Sequence, residues 1–461
     1  MSLSYDEYLL SNRDTHLADL KTFLSFPSIS ALSEHKPDVK RCAEFVASHL
    51  TEIGFEHATL MPTAGNPVVY ADWLHADGAP TVLVYGHYDV QPVDPLPLWK
   101  SPPFEPEIRE NRIYARGATD DKGQVFMHFK AFEALFKTNG TLPVNVKFCI
   151  EGEEEIGCLH LPDFLAENRE KLRADVLMIS DSSILGPNQP AICYGLRGLA
   201  GLEIHVRTAN TDLHSGMFGG GVPNANHALA QILASLHTPD QRVTVEGFYD
   251  KVEALTPEER DSYEKLEIDP EDIMKSLDMT ALVGEPSYTY LERVWTRPTL
   301  EINGMYGGFQ GEGTKTVIPC EAHAKITCRL VPNQDPREIQ RLVARHVEKC
   351  APDGAQVEVE LADAGRPYVT PFEHPAIQLA AKAYEDAYGV PCAFTRMGGS
   401  IPIVEDFDKL LRIPVVMMGF GLPDENLHAP NEHFSLENFD KGIRTLCWYY
   451  LGLPNALSNP S

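Results

Sequence analysis

The sequence lacks the features that several large protein classes require. It has no run of Lys and Arg, and its 39 basic residues are outnumbered by 66 Asp and Glu, which gives a formal charge of −27. Nucleic acids and anionic membranes recruit clustered basic residues, so we expect neither as a partner. No stretch approaches the roughly 18–20 apolar residues that a membrane span needs. The N-terminus also lacks the basic and then apolar pattern of a secretory signal.

Cysteine pairs and common nucleotide motifs are missing as well. The nine cysteines are scattered and none form a C-x-x-C pair, which excludes the spacing of a zinc ribbon or a redox motif. Free thiols suit a reducing compartment, and we therefore expect a cytoplasmic protein. No G-x-G-x-x-G, P-loop or G-x-S-x-G motif is present, so the sequence indicates neither a dinucleotide site nor a serine hydrolase.

What the sequence does contain is the pattern of an α/β protein. The chain has 461 residues, of which 43% are hydrophobic and 23% charged, as in a soluble protein of two or three domains. The apolar runs Thr81–Tyr85, Val144–Ile150 and Val176–Ile179 read as strands, and Asp121–Lys137 has helical spacing of its aromatic residues. Strands that alternate with helices predict a mixed, mostly parallel sheet.

A central segment has a different texture. It contains the Gly-rich loop Ser215–Val222 and strand-like stretches such as Ala322–Leu330. We interpret residues 206–370 as an α+β domain inserted into the α/β domain. The α/β domain is then discontinuous and comprises residues 1–205 and 371–461.

Polar side chains follow several of the predicted strands. His87 and Asp89 come directly after one strand, Asp181 closes another, and Glu154 and Glu155 follow a third. In open α/β sheets the carboxyl ends of the strands face the ligand crevice. Each motif alone favours a structural role, such as a turn or a solvated face.

Two further segments add to this set. Asp120 and Asp121 stand just before a helix, where adjacent carboxylates suit an N-cap and the helix dipole, and His428 follows a late apolar strand. Taken together, the segments supply two histidines and several carboxylates at strand ends. Such nitrogen and oxygen donors suit zinc, manganese or cobalt.

The motifs also occur in a recognisable order. They are G-H-Y-D-V-Q-P, R-G-A-T-D-D-K-G, E-G-E-E-E-I-G, I-S-D-S, Y-G-L-R-G, D-L-H-S-G, C-R-L-V-P-N, G-G-S-I-P and H-A-P-N-E. This order resembles the dinuclear-zinc metallopeptidase family of carnosinase and cytosolic nonspecific dipeptidase, which also includes glutamate carboxypeptidase and aminoacylase. The resemblance runs from about residue 15 to the end, and it is strongest to the carnosinase and nonspecific dipeptidase branch. It implies a zinc-peptidase-like catalytic domain with an inserted α+β lid and dimerisation domain.

The resemblance also implies roles for individual residues. The implied metal ligands are His87 and Asp181 for one metal, Glu155 and His428 for the other, and Asp120 as the carboxylate that bridges them. Glu154 resembles the catalytic base and Asp89 the residue that orients His87. The peptide bond between Asp120 and Asp121 is cis in relatives.

Other implied roles fall outside the strand-end motifs. His214 resembles a histidine that reaches the active site of the partner subunit. Arg329, Ser400 and Thr316 resemble groups that bind the C-terminal carboxylate of the substrate. The implied assembly is a homodimer joined through the inserted domain.

The implied activity is hydrolysis of the peptide bond of dipeptides that have a free C-terminal carboxylate. It would use two divalent metal ions per subunit, with zinc favoured over manganese or cobalt. An N-acyl-amino-acid deacylase or a carboxypeptidase of the same family is the nearest alternative. A non-catalytic binding module is a more distant alternative, and it is disfavoured because every ligand type is present.

Overall fold

The computed structural model describes residues 4–266, 268–398 and 402–458. Within these ranges the chain forms two compact units. The first comprises Met1–Tyr194, Thr370–Thr395 and Pro402–Ser461, and the second comprises Gly195–Val369 and Arg396–Ile401. The chain therefore leaves the first unit and later returns to it.

Helices and strands alternate along much of the chain. The helices are α1 (Tyr5–Leu24), α2 (Lys36–Ile53), α3 (Lys122–Asn139), α4 (Leu161–Glu167), α5 (Arg169–Leu172), α6 (Ser215–Phe218), α7 (Ala225–Ala234), α8 (Pro257–Glu264), α9 (Pro270–Ser276), α10 (Tyr290–Thr296), α11 (Pro336–Lys349), α12 (Pro375–Tyr388), α13 (Pro402–Leu411) and α14 (Leu436–Ser458). In the part of the chain that the structure describes, none of them is long and apolar enough to cross a membrane.

The strands follow the same chain order. They are β1 (Glu56–Met61), β2 (Val68–Trp73), β3 (Thr81–His87), β4 (Glu107–Arg109), β5 (Arg112–Tyr114), β6 (Asn145–Glu151), β7 (Val176–Ile179), β8 (Ala191–Leu196), β9 (Gly198–Arg207), β10 (Leu213–His214), β11 (Thr299–Gly307), β12 (Val317–Ile318), β13 (Glu321–Leu330), β14 (Gln356–Gly365), β15 (Tyr368–Val369), β16 (Ala393–Met397), β17 (Val415–Met417) and β18 (His433–Ser435).

The first unit is built on a mixed sheet with a parallel centre. Its strand order is β1-β2-β6-β3-β7-β17-β8. The central strands β6, β3, β7 and β17 run parallel, whereas the pairs towards the edges are antiparallel. Strands β3, β6 and β7 are buried along almost their whole length, as expected of parallel strands whose two faces are covered. This arrangement confirms the predicted fold class.

The second unit is built on a smaller antiparallel sheet. Its order is β11-β13-β9-β14, and apolar residues of α7 and α11 share a core with its strands. The unit begins at Gly195, earlier than the predicted residue 206. The physical reason is that β9 pairs with both β13 and β14, so it belongs to the centre of this sheet.

Candidate metal centre

Parallel strands bring three of the polar motifs to one edge of the sheet. His87 is the last residue of β3, and its register partner is Glu151, the last residue of β6. The chain then makes a short 3₁₀ turn that carries Glu154 and Glu155. Asp181 follows the end of β7, the other parallel neighbour of β3. Because neighbouring parallel strands end at the same edge, these side chains converge.

A carboxylate lies between the two predicted ligand histidines. Asp120 is buried in the loop before α3. Its Oδ1 lies 3.1 Å from His87 Nε2, and its Oδ2 lies 2.9 Å from His428 Nε2. Each oxygen therefore faces a different imidazole, which is the arrangement of a carboxylate that bridges two cations.

The other predicted ligands complete the two halves of this cluster. His87 Nε2 lies 3.8 Å from Asp181 Oδ2, and His428 Nε2 lies 3.3 Å from Glu155 Oε2. The structure thus brings together the residues that the resemblance implies as metal ligands. Asp181 and His87 share one side of Asp120, and Glu155 and His428 share the other.

Asp89 is fully buried and contacts three residues of the cluster. Its backbone oxygen and its Oδ1 lie 3.1 and 3.4 Å from His87 Nδ1. A metal bound at Nε2 would leave the ring proton on Nδ1, where these two oxygens can accept a hydrogen bond from it. The carboxylate also accepts hydrogen bonds from the backbone N–H groups of Glu154 (3.3 Å) and Glu155 (3.2 Å).

The structure corrects the interpretation of Asp121 as a helix cap. It occupies the N-cap position of α3, but its side chain makes no capping hydrogen bond. Instead, its Oδ2 accepts a hydrogen bond of 3.2 Å from the backbone N–H of His87. The preceding peptide bond, between Asp120 and Asp121, is cis, as the resemblance implies.

The electrostatics of the cluster favour a bound cation. Burial, together with the negative charges of Glu155 and Asp120 and against the opposing effect of His87, raises the pKa of Glu154 to about 7. Burial, with the charge of Asp120 next, raises the pKa of Asp181 well above its usual value. Crowded carboxylates of this kind are stabilised by divalent ions. Two imidazole nitrogens and several carboxylate oxygens are donors that fit zinc, manganese or cobalt.

The predicted site residues His214, Thr316 and Arg329 belong to the second unit. His214 is exposed at the end of β10, and its Nδ1 accepts a 3.0 Å hydrogen bond from the N–H of Gly216. Thr316 lies beside it, since its backbone oxygen accepts a hydrogen bond from Ser215 N. Arg329 lies on β13 and lines a cavity of about 480 Å³. Ser400 lies outside the described residues.

Some residues near the ligands were not predicted. Gln91 Nε2 donates to Glu155 Oε2 at 2.9 Å and to the Glu155 backbone oxygen at 3.2 Å. Glu432 is buried beside Asp120, and Arg116 donates to it. All three residues stand in or directly beside the motifs of the predicted ligands. Membership of those motifs was the signal that could have found them.

Comparison with known proteins agrees with this geometry. The model of peptidase family M20/M25/M40 matches residues 83–450. The Cys-Gly metallodipeptidase dug1 of Schizosaccharomyces pombe is 33% identical, over 97% of this chain and 98% of the relative.

Two solved structures are also similar. The metallo-carboxypeptidase Sso-CP2 of Sulfolobus solfataricus is 35% identical with a TM-score of 0.81, and the match covers 95% of this chain and 99% of that one. Human carnosine dipeptidase 1 is 28% identical with a TM-score of 0.76, over 98% of both chains. The chain therefore belongs to peptidase family M20/M25/M40, which confirms the resemblance seen in its sequence.

Proposed function

We propose that this chain is a dinuclear metal-dependent dipeptidase that cleaves dipeptides with a free C-terminal carboxylate. The observation that carries the proposal is the position of Asp120, whose two oxygens face His87 and His428. The names of two relatives, a Cys-Gly metallodipeptidase and a carnosine dipeptidase, support the substrate class.

Five side chains would hold the two metal ions, and zinc is the metal we favour. The proposed ligands are His87 and Asp181 on one side, Glu155 and His428 on the other, and Asp120 between them. When bound, the two ions lower the pKa of a water molecule and polarise the carbonyl of the substrate. The two oxygens of Asp89 near His87 Nδ1 could accept a hydrogen bond from the ring N–H when Nε2 binds a metal.

Glu154 is the group we propose as general base. It stands next to the proposed ligand Glu155 in the turn after β6. The carboxylate of Asp89 accepts a hydrogen bond from the backbone N–H of Glu154. Glu154 would take a proton from the attacking water and return it to the departing amine. A single carboxylate can perform both transfers because they occur in sequence.

Recognition of the substrate carboxylate is assigned to the second unit, with Arg329, Ser400 and Thr316 as the proposed groups. The cavity beside Arg329 is also lined by Arg197. Burial, and then the charge of Arg329, lower the pKa of Arg197 to about 10. Four arginines and two glutamates line this cavity. The excess of guanidinium groups favours an anion, and a guanidinium fork matches a carboxylate.

His214 is proposed to act across a homodimer joined through residues 206–370, where it would stabilise the oxyanion in the partner's site. Two inactive variants, His214→Ala and Glu154→Gln, should then complement each other after mixing and re-association. Random pairing would leave one intact composite site in about half the dimers, so roughly a quarter of wild-type activity should return. If verified heterodimers stay inactive, His214 acts in the active site of its own subunit and the shared site is refuted.

A cytoplasmic location of the protein stays a prediction.

A carboxypeptidase is the second candidate function, and the similarity to Sso-CP2 favours it. A substrate panel separates the two activities. The zinc- or manganese-loaded enzyme should cleave Cys-Gly and β-Ala-His dipeptides but neither their N-acetylated forms nor tripeptides. Cleavage of the blocked or longer substrates would instead support the carboxypeptidase or deacylase alternative. Absence of cleavage of any amide in the panel would refute the proposed function.

A further inference from the structure

Glu432 is a fully buried carboxylate beside the metal centre that has no role in the proposed reaction. It ends the H-A-P-N-E motif, whose first residue is the proposed ligand His428. We infer that Glu432 is a positioning residue that fixes the backbone of Asp120 and thereby sets the affinity for metal. The inference rests on the proposed metal site.

Among the described residues, the donors to the carboxylate of Glu432 all lie in the loop that leads to Asp120. Its Oε2 accepts from Arg116 Nη1 at 2.7 Å and from Gly117 N at 3.0 Å. Its Oε1 accepts from Thr119 N at 3.0 Å and from Asp120 N at 3.2 Å. These bonds hold three backbone N–H groups of one loop on a single side chain.

The same contacts join the loop that supplies His428 to the loop that supplies Asp120, the carboxylate between the two halves of the centre. The backbone oxygen of Glu432 accepts from Ala115 N at 3.1 Å, so main chain and side chain both bind this loop. A second buried carboxylate, Glu425, accepts a 2.7 Å hydrogen bond from Thr119 Oγ1. Asp120 can lie between the two histidines only while this loop keeps its position relative to His428. Groups that orient ligands in this way tune metal affinity.

Glutamine is an informative replacement because it has nearly the same shape. All of the partners of Glu432 are donors, and each carboxylate oxygen faces two of them. A glutamine amide has one acceptor oxygen and one NH₂ group. In either orientation the NH₂ would face two N–H donors, so the loop must move or lose hydrogen bonds.

The test measures zinc binding to the full-length apoprotein by competition with a chelator. Glu432→Gln should weaken zinc binding by about 10-fold to 100-fold, as is typical for loss of a group that orients a ligand. At saturating zinc, kcat should recover towards wild type while KM stays unchanged. Glu133→Gln is the matched control, because Glu133 accepts hydrogen bonds from Lys130 and Tyr8 in the same unit but has no contact with the ligands. This control should bind zinc as wild type does.

Wild-type zinc affinity in folded Glu432→Gln would overturn the inference while leaving the proposed function intact. If that variant does not fold, Arg116→Lys decides, because it removes the guanidinium partner but leaves the backbone donors in place. It should weaken zinc binding relative to wild type, and an unchanged affinity would overturn the inference. A wild-type protein that binds no zinc would refute both the metal site and the role of Glu432.

Discussion

Replacing Asp89 by Asn tests how the base and one ligand are held. Asp89 is fully buried, and its two oxygens accept hydrogen bonds from the N–H groups of Glu154 and Glu155. Asparagine has almost the same size, but only one of its two terminal atoms accepts a hydrogen bond. One of the two backbone donors would therefore face an NH₂ group.

The size of the effect follows from that lost partner. A buried donor without a partner costs about 1–3 kcal/mol. If the turn shifts so that Glu154 loses its position in the transition state, kcat should fall by about 5-fold to 150-fold, since each tenfold corresponds to about 1.36 kcal/mol. At saturating zinc the metal content should not change, because the backbone oxygen of Asp89 still accepts from His87 Nδ1.

Steady-state kinetics with dipeptide, combined with metal analysis, would measure both quantities. Asp72→Asn is the matched control. Asp72 is a buried aspartate of the same unit whose partners are Tyr70 and His57. That variant should keep kcat within about twofold of wild type, as expected for a site without shared partners. Wild-type kcat in Asp89→Asn would refute the proposed role of Asp89 in placing the base.

Three other perturbations test the base, the metals and a buried histidine. Glu154→Gln should lower kcat by at least about 100-fold, because an amide cannot accept the proton of the water. Metal analysis should still find the wild-type metal content. Substantial remaining activity would reject Glu154 as the base. Chelation should lower the melting temperature measured by calorimetry, since a ligand bound only by the folded state stabilises it; an unchanged melting temperature and activity would argue against the metal site. Burial lowers the pKa of His49 from 6.5 to about 4, so the unfolded state binds its proton first, and stability is lost as the pH falls from 6.5 towards 4. His49→Phe keeps a ring against Phe45 and Phe126 and should remove this loss. Between pH 7 and pH 5, the free energy of unfolding measured with urea should therefore rise by about 2 kcal/mol in the variant relative to wild type. An equal loss of stability in both proteins would contradict the assignment.

The sequence allowed the central strands and the ligand set to be predicted for different reasons. Buried parallel strands are continuous apolar runs, so β3 and β7 are visible without a structure. The proposed roles of His87 and Asp181 came from the order of motifs, because a single H-x-D pattern is more typical of a turn. The predicted first boundary, residue 206, lies after the start of the second compact unit at Gly195, because β9 pairs with strands that follow it much later in the chain.

Side-chain direction and long-range pairing could not be predicted. Two acidic residues before a helix are typical of a cap, and nothing local shows that Asp121 points to the backbone of His87 instead. Glu432 is separated from Arg116 by 316 residues, so its partners are defined only by the fold. Residues of this kind determine the geometry of the site although no spacing rule identifies them.

The central claim is that two divalent cations, held around Asp120, are required for hydrolysis. The most direct test titrates the apoprotein with zinc while bound metal and dipeptide hydrolysis are measured in the same samples, with Asp120→Ala in parallel. We predict that wild-type activity rises until two zinc ions are bound per subunit, and that Asp120→Ala binds fewer ions and stays inactive. Full activity of the metal-free protein, or wild-type metal binding and turnover by Asp120→Ala, would contradict the claim.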